Sequence, residues 1–175
     1  MVDLINLIKS GPEYEAIKAF YGERVAARSK VPLMNHIDEG LVILNKIGAS
    51  SEAMAGFCLH PLFQNDAELT TVGYKYVLDK LGQNVSIRAL MLTMEYRRVA
   101  NMYLAHCDTS KIVLSPLKEV NDMLIADKVQ NRKDFLAYHF GTHQNSARLD
   151  QYFKDWMNAL SITDERYQEL VNLSS

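Results

Sequence analysis

Three side chains stand where chemistry could begin. His36 lies early in one helical pattern, His60 closes a second, and Asp127 sits inside the run Leu124-Ile125-Ala126-Asp127-Lys128. An acid in an apolar helical run is expensive to bury unless it is paired or bound to a metal. Two imidazoles and a carboxylate on separate helices can converge only through the fold. If they do, they form a ligand set that divalent transition metals take, with a position left open for water. Spacing alone does not select this reading. A lone helical His is more often a satisfied core or surface residue, and Asp127 could equally pair with Lys128 or Arg132.

Other candidate groups offer less. Arg97 and Arg98, with Lys111 further on, could face a phosphate, but arginines beside Glu95 read more simply as solvated or salt-bridged. His139 and His143 flank Gly141, and a glycine between them marks a helix end rather than one metal-binding face. The eight Met read as core filler, and Trp156 as buried packing. Cys58 and Cys107 lack metal-ligand spacing and read as two reduced thiols. No Gly-x-Ser-x-Gly, no cysteine–base pair and no phosphate-cradling glycine loop is present. These absences argue against a serine or cysteine nucleophile and against a nucleoside triphosphate motor or kinase.

The elements that must position these residues are helical, because period-two alternation is nearly missing. The spacing predicts a short segment over Val2 to Ile8 and a helix from Glu13 to about Ala27, with Pro12 at its first turn. A helix over Leu33 to Lys46 follows, stopped by Gly48, and Ser51 restarts the chain. Ala53 to His60 is apolar and rich in small residues, which predicts the buried central helix. Pro61 disfavours helical geometry at His60, so that helix is expected to end or bend there. Leu62 to Thr71 reads as a loop or short irregular helix. Further helices are expected over Val72 to Leu81, Val85 to His106, Pro116 to Tyr138, Ser146 to Leu160 and Asp164 to Leu173. Gly82 and Gly141 are expected stops, and Thr163 or Asp164 the last cap. The fold class is therefore all-α: one domain over residues 1–175, a bundle of helices.

Bulk properties narrow the partners. Of the 175 residues 48% are apolar and 23% charged, the balance of an ordinary globular domain. Nineteen Lys and Arg nearly cancel 21 Asp and Glu, so no basic field points to nucleic acid. No secretory start and no apolar stretch near the length of a bilayer span is visible, so a cytoplasmic protein without a membrane partner is expected. Composition leaves homo-oligomerisation open.

The wording around the three residues resembles a known family. Val31-Pro32-Leu33-Met34-Asn35-His36 is similar to the Pro-Tyr-Ile-Asn-His block of the hydrolase domain that acts on the alarmone (p)ppGpp. Ser51 to His60, ending Gly-Phe-Cys-Leu-His, resembles its buried Ala-Ala-Leu-Leu-His-Asp helix. Leu124 to Asn131 resembles its Lys-Leu-Ala-Asp-Lys-Leu-x-Asn segment. Arg148-Leu149-Asp150-Gln151-Tyr152-Phe153 resembles its closing Arg-Val-x-x-Tyr-Phe. The blocks fall in the family's order across about Arg24 to Leu160, and the family is the His-Asp superfamily of metal-dependent phosphohydrolases. The resemblance implies an all-α fold and a Mn²⁺ or Zn²⁺ ion held by His36, His60 and Asp127. It also implies a small-molecule nucleotide held by Asn131, Arg148 and Tyr152, with Arg28 near a basic family position.

Two departures fall in one stretch. The family's His-Asp reads His60-Pro61 here, so one carboxylate ligand is missing. Its following Glu-Asp pair is replaced by Gln64-Asn65, amides that can orient a water but cannot take its proton. Gln64, Asn65 and Asp66 are thus the divergent catalytic positions. Either Asp66 swings in to restore a carboxylate, or the metal acidifies its own water, or the domain binds a nucleotide or a protein partner without cleavage.

Overall fold

From Ala53 to Leu59 no residue carries a charged or amide side chain, so a helix there has no polar face to turn to water and must be central. The structure, a computed structural model, describes residues 4–80 and 86–173. Helices α1 (Leu4–Lys9), α2 (Pro12–Tyr21) and α3 (Met34–Lys46) lead into α4 (Ser51–Phe63). A short α5 (Asp66–Glu68) and a π-helical turn (Leu69–Gly73) run into α6 (Tyr74–Lys80). Helices α7 (Ile87–Met102), α8 (Lys118–Tyr138), α9 (Ser146–Ala159) and α10 (Asp164–Leu173) complete the order. The fold is all-α. Among the described residues the one β-type contact is an isolated antiparallel bridge between Val25 and Pro32. No helix among them is long and apolar enough to cross a membrane.

Helix α4 forms the axis. Every residue from Ala53 to His60 is buried, as are Leu62 and Phe63. It packs against α7, α2, α8 and α3, while α3 also packs along α8. Gly40 of α3 permits a close approach to α4, since a Cβ there would lie 2.2 Å from the Phe57 ring. The α4–α7 contact is fixed by a polar tie, the Thr93 hydroxyl lying 2.9 Å from the Gly56 carbonyl and 2.8 Å from that of Ala89.

Several boundaries differ from the sequence reading. Helix α2 stops at Tyr21 rather than near Ala27, because Gly22 takes a φ of 53° and its N–H bonds the Lys18 carbonyl. Residues 22–33 then form a loop closed by Ala26 N–H to the Val31 carbonyl and Leu33 N–H to the Arg24 carbonyl. The hydroxyl that caps α4 belongs to Ser50, not Ser51, and accepts from the Ala53 N–H. Helix α7 ends at Met102, short of His106. The chain beyond it is pinned to α9 by a 2.5 Å hydrogen bond from Thr109 to Asp155. Thr163 caps α10, accepting from the Arg166 N–H. Val2, Leu81, Gly82 and Val85, which the spacing assigned to helix ends or stops, lie outside the described residues.

The main correction is Pro61, which sits inside α4 rather than after it. Proline removes one helical hydrogen bond and crowds the carbonyl four residues back. The helix nonetheless runs on to Phe63, with Leu62 and Phe63 buried in the core. The unpaired carbonyl is that of Phe57, and it finds a donor in the ring Nδ1 of His60 at 2.6 Å.

Candidate metal centre

Helices α3, α4 and α8 each bring one side chain to the same point. His36 comes from the first turn of α3, His60 from the buried axis, and Asp127 from the middle of α8. His36 Nε2 lies 3.3 Å from His60 Nε2 and 3.4 Å from Asp127 Oδ1, and His60 Nε2 lies 3.8 Å from the same oxygen. A tetrahedral ion with bonds of about 2.0–2.2 Å separates its ligand atoms by about 3.3–3.6 Å. Two edges of the triangle fall in that range, and the third, at 3.8 Å, lies just above it. Among the described residues this is the one group of three or more His, Cys, Asp or Glu disposed to hold a metal.

Hydrogen bonds decide which ring nitrogens face inward. His60 Nδ1 meets a backbone carbonyl, which can only accept, so Nδ1 carries the proton and Nε2 a lone pair. His36 Nδ1 meets Gln130 Oε1 at 2.6 Å. The Gln130 amide cannot be reversed, because its nitrogen donates to Glu39 at 3.1 Å and to Asp134 at 2.9 Å. Oε1 therefore accepts from Nδ1–H, so the neutral form of His36 has its bare nitrogen at Nε2. Lys133 Nζ anchors the same Glu39 oxygen at 2.6 Å. Both imidazoles are thus locked by a second layer of partners, as metal-bound histidines are.

Asp127 is held as firmly. Its Oδ1 accepts from Asn131 Nδ2 at 2.9 Å, one turn along α8, and its Oδ2 pairs with Lys128 Nζ at 2.7 Å. Burial alone would raise this carboxyl, but Lys128, His36 and His60 together hold it well below the usual carboxylate range. Burial and the neighbouring His36 push the His60 ring down to about 3, so it is neutral. Burial would lower the Lys128 ammonium, yet Asp127 beside it keeps it charged and raises it. The Lys128 ammonium also lies 5.6 Å from the Tyr152 ring centroid and 5.0 Å from that of Trp156.

The three ligand atoms open onto a cavity of about 520 Å³. Gln64, Asn131, Asp134, His139 and Tyr152 line it together with apolar wall residues such as Leu33 and Phe153. Of the nucleotide-side candidates, Asn131 and Tyr152 reach the cavity. Arg28 and Arg148 are exposed and outside its lining, though their neighbours Ser29 and Leu149 belong to it. Of the divergent positions only Gln64 lines it. Asn65 caps α5, accepting from the Glu68 N–H. Asp66 does not swing in to replace the missing acid; its exposed carboxylate pairs with Arg97 on α7. Arg98 pairs with Glu95, so this arginine pair is salt-bridged rather than facing a ligand.

Sequence reading missed Gln130, Glu39, Asp134 and the Phe57 carbonyl. A signal existed for the first two, since each lies three residues after a candidate ligand and so on the same helix face. No family model, curated protein or solved structure matches the chain.

Proposed function

We propose that the chain binds one divalent transition-metal ion through His36, His60 and Asp127 and uses it as a nucleotide phosphohydrolase of the His-Asp kind, (p)ppGpp hydrolase-like. One observation carries this reading: His36 Nε2, His60 Nε2 and Asp127 Oδ1 lie within 3.8 Å of one another while an oxygen acceptor holds Nδ1 of each imidazole. An ordinary His–Asp ion pair fits less well, because separations of 3.4 and 3.8 Å exceed the roughly 2.7–2.9 Å of charge-assisted hydrogen bonds. A Mn²⁺ or Zn²⁺ ion would supply a Lewis acid and a water of lowered pKa. Asn131 steadies the Asp127 carboxylate, Gln64 can orient a water, and Tyr152 offers a ring to the cavity. Arg28 and Arg148 have no ion pair among the described residues, and beside the cavity lining they are free to hold phosphate oxygens.

A second reading, nucleotide binding without turnover, is favoured by the Asp66–Arg97 pair, which leaves the Gln64 amide as the one divergent position on the cavity lining. Metal analysis of the purified protein, followed by a panel of (p)ppGpp, deoxynucleoside triphosphates and monophosphates with Mn²⁺, tests both. A stoichiometric ion lost in His36→Ala and Asp127→Ala, with turnover of one substrate, supports hydrolysis. An ion without turnover supports binding alone, and absence of any ion sinks the metal reading.

A further inference from the structure

We propose that Pro61 sets the tautomer and orientation of His60 through the backbone N–H it lacks, making it a positioning residue of the metal centre. The inference rests on the metal reading above. In an α-helix the N–H of residue 61 bonds the carbonyl of residue 57. Proline has no N–H, and its ring crowds that carbonyl. Phe57 is fully buried, so water cannot take the place of the lost donor. His60 Nδ1 takes it instead, at 2.6 Å.

The consequence reaches the ligand atom. With Nδ1–H committed to an acceptor that can never donate, Nε2 stays bare and aimed at His36 Nε2 and Asp127 Oδ1. Any other residue at 61 returns an N–H to the Phe57 carbonyl. A carbonyl can accept twice, so the effect is graded. A shared oxygen holds the imidazole less tightly, and the ring then populates the Nε2–H form, in which the ligand atom is blocked. The residue that costs the site a carboxylate therefore gives the neighbouring histidine an undivided acceptor.

Pro61→Ala and Pro61→Ser in the full chain test this, because fold and site should respond in opposite directions. An interior proline disfavours a helix, so both variants should melt at the same temperature as the parent or higher. His60 in the metal-free parent should show one tautomer, Nδ1–H, by long-range ¹H–¹⁵N correlation, and both variants a mixture. Zn²⁺ affinity, read by competition with a chromophoric chelator, should fall about tenfold or more. A parent His60 protonated on Nε2, or variants with an unchanged tautomer, would overturn the proposal whatever happens to Zn²⁺. A shifted tautomer in a protein that binds no Zn²⁺ would uphold the role of Pro61 while removing the metal reading on which its use depends.

Discussion

Lys128 is the costliest residue of the centre to place, since its ammonium side chain is 5% exposed and its partner Asp127 4%. Two charges withdrawn from water repay their desolvation only while both are present. Lys128→Met leaves Asp127 buried without its cation, and the metal-free variant should lose about 3–5 kcal/mol of stability in urea unfolding. Added Zn²⁺ should recover part of that loss, because it neutralises the same carboxylate. Gln130→Ala removes the acceptor that fixes His36, so metal affinity should fall about 10–100-fold in a chelator competition. Cys58, two residues before His60 on α4, offers a check on the burial of that helix. It is buried, and burial raises its thiol far above the usual range, while Cys107 is partly accessible. A thiol reagent at about pH 8, near the ordinary thiol pKa, should therefore modify one cysteine in the native protein and both in urea. Fast labelling of Cys58 in the folded state would contradict its placement. At this scale the candidate ligand atoms were legible because His36, His60 and Asp127 carry their chemistry in their side-chain types. Their supports were not. Gln130 lies 94 residues from the His36 it orients, and only the docking of α3 on α8 joins them.

Helices α3 and α4 meet through the absence of a side chain. Gly40 lies against Phe57, whose ring centroid is 5.5 Å from that of His36 and 4.7 Å from that of His60. Gly40→Ala should push the ring into both histidines. The expected cost is about 1–3 kcal/mol of overpacking, read as a lower thermal midpoint, together with weaker metal binding. A variant that keeps both would show that Phe57 can move aside freely. The helical nature of the elements was legible from periodicity, and the burial of α4 from its lack of polar residues. Ends were less so. Val25, Ala26 and Ala27 extend the apolar pattern of α2 in letters only, because Gly22 has already turned the chain. Pro61 misled in the other direction: a proline usually ends a helix, but here a side-chain donor takes over the carbonyl it strands.

For the whole molecule, three helices that share a centre should stand or fall with it. A ligand that binds only the folded state adds about 2.7 kcal/mol at a concentration about one hundred times its dissociation constant. Zn²⁺ should therefore raise the melting temperature of the parent protein and leave that of His36→Ala nearly unchanged. Equal shifts in both would place the binding elsewhere. By contrast Asp66→Asn breaks an ion pair whose carboxylate is 91% exposed, and stability should change by no more than about 1 kcal/mol. The all-α architecture follows from the sequence because apolar residues recur at helical spacing along much of the chain, while Ala53 to Leu59 is apolar on every side. The cavity does not, since its walls come from the loop after α2 and from α3, α4, α8 and α9, segments far apart in the chain.

The buried Asp127–Lys128 pair also fixes the charge balance of the pocket. With both histidines in the neutral form that coordinates a metal, the centre sums to zero apart from the ion, one carboxylate being cancelled by one ammonium. A divalent cation coordinated by Asp127 would then add two positive charges to a centre that is otherwise neutral, in surroundings that screen them poorly. A centre with that surplus favours whatever dianion can enter. The cavity, whose lining also carries the Asp134 carboxylate, would therefore attract a phosphate through the ion rather than through a free lysine or arginine.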